Sequence, residues 1–453
     1  MNNQERIKMR TQDPNIRNRN CEEVELGYNE EEALNEANRC LHCKIPRCVE
    51  GCPVNIQIPE FIKALKEGNI KKSYEIIQES SSLSAICGRV CPQEKQCEAR
   101  CVRGIKGDSV AIGALERYVS DQALLNKFST TKSKIKKNQK IAIIGSGPAG
   151  LTCAGDLAKA GYNVTIYEAL HKAGGVLTYG IPEFRLPKSI VEKQVKSLKK
   201  LGVSINLNVP IGNAITLDEL RNEFDAIFIG TGAGIPKFMG IEGEDASGVF
   251  SANEILTRIN LMKSYKNAAK TPIKHGKVAY VIGGGNVAMD SVRSLKRLGY
   301  DSHLMYRRSE EELPARKMEV EHAKEEGIEF NLLANPVKIL TDEENNVIGM
   351  EVVNMKLGDK DEDGRRKVTP IKNSNHIVNC DIVVMALGTA QNHEAIKNSN
   401  IKLTDRGLIV VNNSETSLKN VYAGGDAVTG AATVILAMEA GKKAASEIIK
   451  NLS

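Results

Sequence analysis

KIAIIGSGPAG (140–150) and VAYVIGGGNVA (278–288) are the two stretches that decide the fold of this chain. In each, an apolar run with strand character ends on a glycine pattern: Gly145, Gly147 and Gly150, then Gly283, Gly285 and Ala288. The first glycine of such a pattern permits a tight turn off the strand. The second lets backbone N–H groups approach a pyrophosphate, and the third lets the next helix pack close to the strand. Taken singly the pattern is weak; here both copies sit in the strand–turn–helix–strand context it requires. The first helix is predicted to run to about Ala160, with the next strand at Asn163–Tyr167, and a second β-α-β unit begins at Lys277.

Working outward, DAIFIGTGAG (225–234) and DIVVMALGTAQN (381–392) each read as a buried strand ending in a glycine turn. The stretch NVYAGGDAVTGAATVILAMEAGKKAA (420–445) reads as a strand, a Gly-Gly-Asp turn and an Ala-rich helix. This order predicts an α/β protein with two Rossmann-like three-layer domains, the second inserted in the first. The expected segments are 140–240 and 381–453 for the first domain and 241–380 for the second. Residues 1–139 form a separate helical domain, since EEEALNEANRCLHC and IPEFIKALKEGNIKKSYEII space their apolar residues helically. The polar, basic stretch 128–140 reads as the linker.

Sixty-two Lys and Arg face 56 Asp and Glu, so the net charge of +6 gives no basis for a nucleic-acid or membrane-surface partner. No run of about 20 apolar residues occurs to span a membrane, and the first 20 residues lack a signal-peptide core. A cytoplasmic location is expected, where clustered cysteines bind metal rather than form disulfides.

Glu168 follows Gly145 by 23 residues, at the end of the second strand, where a carboxylate meets a ribose diol. Asp426, at a strand end and helix start, suits a ribityl hydroxyl or a helix N-cap. Gly174 and Gly175 let the chain run close to a bound cofactor. The second unit has no acid at the equivalent strand end. Arg307 and Arg308 stand there instead, the donor set for a 2′-phosphate, which points to NADPH rather than NADH.

Nine of the eleven cysteines lie in the first 101 residues. The runs are Cys40-x2-Cys43-x4-Cys48-x3-Cys52-Pro53 and Cys87-x3-Cys91-Pro92-x4-Cys97-x3-Cys101. Eight thiolates suffice for two cubane iron–sulfur clusters. Zinc is the rival, but these irregular gaps do not form two zinc ribbons, and zinc offers a flavin no electron outlet. Cys21, Cys153 and Cys380 stand apart as structural residues, and His42 reads as an exposed helix residue.

Together with GSGPAGL, YGIPEFRLPK, GGGNVAMD, YRRSEEELPA and AGGDAVTGAATVILAMEAGK, these runs resemble the small (β) subunit family of NADPH-dependent glutamate synthase. That family includes the large subunit of the NADH-dependent ferredoxin:NADP oxidoreductase, sulfide dehydrogenase subunits and the N-terminal half of dihydropyrimidine dehydrogenase. The resemblance implies FAD at the first glycine turn, with Pro148, Ala149, Gly175, Arg185, Gly232, Gly425 and Thr433 around it. It implies NADPH at the second turn, with Asn286 and Val287, and two 4Fe–4S clusters. Cys40, Cys43, Cys48 and Cys101 would hold one cluster, and Cys52, Cys91, Cys97 and Glu116 the other, leaving Cys87 a bystander.

The expected activity is hydride transfer from NADPH to FAD, then single-electron transfer to a separate flavoprotein subunit that makes glutamate. The alternative is a ferredoxin:NADP transhydrogenase or sulfide dehydrogenase subunit, with ferredoxin as a possible partner. No catalytic acid or base is assigned, because hydride transfer needs none.

Overall fold

The computed structural model describes residues 4–128, 135–266, 269–271, 273–274, 276–360 and 364–453. Two five-stranded parallel sheets organise the chain beyond residue 139. The first runs, in spatial order, Val421–Ala423, Ala226–Ile229, Lys140–Ile144, Asn163–Tyr167 and Ser204–Asn206. Residues 141–144 and 226–229 are buried throughout, because a parallel sheet is covered on both faces. Helix Pro148–Lys159 opens on a proline, where the missing N–H is no loss. It packs along the 18-residue helix Val434–Asn451, so the chain returns to complete the first unit.

The second sheet runs Glu329–Leu332, Asp301–Tyr306, Val278–Ile282, Ile382–Met385 and Val249–Ser251, again all parallel. Strand Ile382–Met385 therefore belongs to the second sheet, and the return to the first unit expected at 381 comes too early. An apolar strand ending in a glycine turn reads alike in either sheet; only its hydrogen-bonded neighbour decides. A short antiparallel ribbon pairs Ile235–Pro236 with Thr389–Ala390. We place the two chain crossings between the units at this ribbon.

One face of the second sheet carries helices Ala252–Asn260, Asn286–Arg297 and Lys317–Glu325. Its other face carries an antiparallel sheet that the sequence reading did not anticipate: Ala334–Thr341, Val347–Lys360, Arg366–Pro370 and His376–Asn379. Ile339, Met350 and Val352 from this sheet pack on Tyr280, Met305 and Val383. The three layers hold, with strands as one outer layer.

The cysteine-rich module is built mainly from helices Ile58–Lys66, Ile70–Ser80, Ser84–Val90 and Ile112–Leu125. A small antiparallel ribbon, Arg10–Thr11 with Glu25–Gly27, interrupts the all-helical expectation. Leu83 and Ile86 of this module share one hydrophobic core with Leu157, Leu198 and Met438 of the first unit. Of the expected linker, residues 129–134 lie outside the described residues. Lys137 N donates to Gly161 O at 2.9 Å, seating the linker's end on the first unit.

Buried ion pairs tie the units together. Arg185 of the first unit contacts Asp290 and Glu319 of the second, each at 2.7 Å. Arg293 pairs with Glu319 and Glu326, and Arg297 with Glu326. Arg17 of the cysteine-rich module reaches Glu326 at 3.0 Å. Burial opposes ionisation of Glu319, but Arg185 and Arg293 outweigh it and pull the carboxyl down to about 2. Burial and Arg293 lower His322 to about 4.

Both groups bind more protons when unfolded, so stability rises with pH across their windows. The His322 contribution is lost between about 6.5 and 4, and the Glu319 contribution as pH falls from about 4.5 to 2. Calorimetric Tm should drop by roughly 3 °C between pH 7 and pH 4.5, about 1.36 kcal/mol per pK unit set against the unfolding entropy of a chain this long. His322→Gln should flatten the upper part of that decline; an unchanged slope would remove His322 from the account.

Candidate functional site

The residues of the first glycine pattern meet at the C-terminal edge of the first sheet, the edge where open α/β sheets bind ligands. Gly145 has φ +95°, and a Cβ on Gly150 would stand 2.0 Å from the Gly145 carbonyl oxygen. That contact forces glycine at the third position. Gly147 and Gly232, by contrast, have nothing within 4 Å of an added Cβ, so both face open space. Pro148 and Ala149 form the first helical turn. Gly175 lies against Gly147, where an added Cβ would meet its Cα at 2.9 Å. Gly425 has φ +71° and borders Ala149, bringing Asp426 to the same edge.

Ser146, which the sequence reading passed over, organises this turn. Its N–H and hydroxyl donate to Glu168 at 2.9 and 2.5 Å, and its Oγ accepts from Gly174 N at 3.0 Å. Glu168 also accepts from Leu170 N at 2.9 Å. The carboxylate expected to meet a ribose is thereby fixed in place by the turn itself. Burial pushes the Asp426 carboxyl up, against a hydrogen bond from the Ala432 backbone. Thr433 is the N-cap of helix Val434–Asn451, accepting from Leu436 N at 3.4 Å.

Arg185 has partners that its sequence context did not indicate. Its guanidinium is buried against Asp290 and Glu319, so it joins the two units. From sequence, an arginine in a glycine- and proline-rich loop carries no mark of a partner 105 residues away.

The second pattern repeats the geometry of the first. Gly283 N donates to Met305 O at 2.9 Å, which sets the turn beside the end of strand Asp301–Tyr306. Gly285 faces open space, Val287 is 43% exposed at the helix start, and Ala288 is buried against the sheet. Asn286 Oδ1 accepts from Arg316 N at 2.9 Å. Arg307 is exposed at the strand end, and Arg308 Nε donates to Arg366 O at 2.8 Å. That bond brings the hairpin pair Arg365 and Arg366 beside the first arginine pair. Both turns thus offer an open, N–H-lined cradle of the kind a pyrophosphate fits.

The cysteines divide into two groups. Cys40, Cys43, Cys48 and Cys101 line a single cavity, with Ile58, Ile62 and Val110 behind them. All four are partly exposed. Cys52, Cys91 and Cys97 are buried, and each feels the charge of Glu116. Burial lifts the Glu116 carboxyl to about 8, and its Oε1 has no hydrogen-bond partner. Burial likewise pushes Cys48 to about 12 and Cys52 to about 11. An orphaned buried carboxylate oxygen among buried thiols fits a cationic metal group, whose binding releases their protons.

Among the described residues no three His, Cys, Asp or Glu side chains converge on one metal ion. Zinc would draw four sulfurs to about 3.8 Å from one another, from its 2.3 Å bonds. A cubane spaces its thiolates more widely, because its own iron and sulfide atoms lie between them. His42 sits at φ +47° in a loop, not on a helix, and its Nε2 is 3.5 Å from Lys66 Nζ.

Cys87 is buried and does not line the cavity of the first group. Its Sγ is 3.3 Å from Met438 Sδ on helix Val434–Asn451, and it lies beside Cys91. The buried cysteine group therefore adjoins the helix that caps the first unit's glycine turn, while the other group faces outward. Arg316 of the second unit reaches the same region, donating to Arg89 O at 3.2 Å and Gln93 Oε1 at 3.1 Å.

Solved structures share the fold of the two nucleotide units. The chain resembles Mycobacterium tuberculosis FprA in complex with NADPH, with TM-score 0.58 and 20% identity over 70% of this chain and 85% of that one. It also resembles T. acidophilum thioredoxin reductase, with TM-score 0.52 and 21% identity over 70% of this chain and all of that one. Residues 139–441 match the family model described as pyridine nucleotide-disulphide oxidoreductase. Residues 17–128 match the one described as dihydropyrimidine dehydrogenase domain II, 4Fe-4S cluster. Fold and site together define an NADPH-dependent flavin oxidoreductase fused to an iron–sulfur module, with FAD, NADPH and 4Fe–4S clusters as cofactors.

Among curated relatives, the glutamate synthase [NADPH] small chain of Escherichia coli is 35% identical over 94% of this chain and 93% of its own length. The chain belongs to that small-chain family. The NADP(+)-dependent formate dehydrogenase subunit beta of Moorella thermoacetica is 39% identical over 88% of this chain, which spans 59% of that subunit. The NADPH-Fe(3+) oxidoreductase subunit beta of Geobacter sulfurreducens is 37% identical, and this chain spans 63% of it. No helix among the described residues is long and apolar enough to cross a membrane.

Proposed function

We propose that this chain is the NADPH-oxidising subunit of a larger cytoplasmic enzyme, and that it relays electrons outward through two 4Fe–4S clusters to a partner flavoprotein. When bound, FAD supplies the conversion between a hydride pair and single electrons, and the clusters carry single electrons. The protein's own task is placement. Gly147, Gly175, Gly232, Gly425 and Asp426 border the FAD cradle, Ser146 and Glu168 hold its turn, and Gly285, Asn286 and Val287 begin the NADPH helix.

Cys52, Cys91, Cys97 and Glu116 would hold the inner cluster, and Cys40, Cys43, Cys48 and Cys101 the outer one. The observation that carries this reading is the arrangement of the two groups: one buried, with Cys91 next to Cys87 and through it to Met438, and one opening at the surface. Anaerobic purification should yield flavin, iron and acid-labile sulfide together; a colourless protein would defeat it.

The partner we infer is a glutamate synthase large subunit, which would deliver ammonia and use the electrons to make glutamate. A second reading, a subunit serving formate, iron, ferredoxin or sulfide chemistry, is favoured by the 37–39% identity to the formate dehydrogenase and Fe(3+) oxidoreductase subunits. Glutamate formed from glutamine and 2-oxoglutarate by the purified complex separates the two.

Arg307 and Arg308 are assigned to the 2′-phosphate. Arg308→Ala should raise the Kd for NADPH about 10–100-fold, the worth of a charge-assisted contact, and leave NADH binding within about threefold. Equal losses for both nucleotides would reject the assignment.

A further inference from the structure

The cavity lined by Cys40, Cys43, Cys48 and Cys101 opens between two short surface segments, 41–47 and 100–106. Four large apolar side chains on these segments face solvent: Leu41 is 55% exposed, Ile45 73%, Val102 38% and Ile105 73%. Leu41 and Val102 line the cavity itself. Apolar side chains left exposed at the mouth of a cavity, as Leu41 and Val102 are, mark a place that another molecule covers.

The charges on these two segments are nearly all of one sign. Residues 41–50 and 100–106 contain Lys44, Arg47, Arg100, Arg103 and Lys106 against a single acid, Glu50, whereas the whole chain is nearly balanced at 62 to 56. Lys44, Arg47, Arg100 and Lys106 are exposed, and none joins an ion pair among the described residues. Elsewhere this protein pairs its arginines closely, as Arg185, Arg293 and Arg297 do. Two exposed carboxylates stand further off: Glu60, on the helix behind the cavity, and Asp108, two residues beyond Lys106, whose Oδ2 accepts from Arg6 N at 3.0 Å. Unpaired cations around an apolar centre match the rim-and-core plan of an interface for a partner of opposite charge.

We infer that this face is the docking surface for a one-electron redox protein whose own contact face is acidic. The inference rests on the outer-cluster reading given above. The overall balance is NADPH plus two oxidised acceptors yielding NADP+, one proton and two reduced acceptors. An apolar centre excludes water between the outer cluster and the acceptor, and the basic rim steers and orients the encounter.

The test uses the full chain with its cofactors and two haem probes of opposite charge, acidic cytochrome b5 and basic cytochrome c. NADPH-driven reduction of cytochrome b5 should slow at least about tenfold as salt rises from roughly 0.02 to 0.3 M, because screening shortens the steering range. At low salt, Arg47→Glu/Arg100→Glu should lower the cytochrome b5 rate about tenfold and raise the cytochrome c rate. Lys44→Glu/Lys106→Glu, whose side chains do not line the cavity, should act in the same direction and decides the matter if the first variant loses iron.

Cytochrome b5 rates within twofold of wild type in a variant with intact iron, sulfide and flavin would overturn the docking face alone. So would a wild-type preference for cytochrome c. Absence of iron and sulfide from the wild-type protein would overturn the cluster reading, and the docking face with it.

Discussion

Glu116→Ala should yield a protein with about half the wild-type iron and a single cluster signal by EPR, while Cys87→Ser keeps both clusters. The reason is the location of the unpaired acceptor. Glu116 Oε1 is buried without a hydrogen-bond partner amid Cys52, Cys91 and Cys97. Cys87 already has sulfur neighbours, Met438 and Cys91. Loss of the inner ligand set should cut NADPH-driven reduction of one-electron acceptors about 10–100-fold. Bleaching of the flavin by NADPH in a stopped-flow instrument should keep its rate, because that step precedes the clusters. Loss of a cluster signal in Cys87→Ser, with Glu116→Ala intact, would reverse the allocation. Loss in both variants would reject the four-ligand set.

Gly150→Ala and Gly147→Ala should separate packing from cofactor contact. A Cβ on Gly150 would stand 2.0 Å from the Gly145 carbonyl oxygen, so the helix must move off the strand. Overpacking of this kind costs about 1–3 kcal/mol. The FAD-free protein should melt about 1–3 °C lower, and FAD affinity should fall about 5–150-fold if the same cost appears in the cradle. An added Cβ on Gly147 meets nothing within 4 Å, and its φ of −68° suits alanine. Gly147→Ala should leave the FAD-free Tm unchanged and still weaken FAD. If Gly147→Ala bound FAD normally, the open space before it would not be the cofactor's.

Much of the fold was legible because its signals are local. Strand Asn163–Tyr167 lies where the spacing put it, and Lys140–Ile144, Val278–Ile282 and the end of helix Pro148–Lys159 differ from expectation by a residue or so. A glycine turn needs only a dozen neighbouring residues to declare itself. The antiparallel sheet over 334–379 was missed because its strands are half-exposed. Val347–Lys360 mixes buried Val352 and Val353 with exposed Asn354 and Lys356, a pattern shared with loops. Of the site residues, the cysteines and glycines were legible by type. Arg185 and Thr433 were assigned by likeness; the structure adds an ion pair for the first and a helix-cap hydrogen bond for the second, neither of which is written in a local pattern.

By itself the sequence determined that two nucleotide turns and a cysteine-rich module share this chain. Glycine conformations, apolar periodicity and thiol spacing are properties of short segments, which any fold containing them must respect. Only the tertiary structure decided which sheet owns Ile382–Met385. It also decided that Arg185 bridges the units, that Cys87 touches Met438, and that one cysteine group is buried while the other opens at the surface. Those are contacts between residues far apart in the chain. Their energies depend on desolvation and partner geometry, which no local pattern encodes.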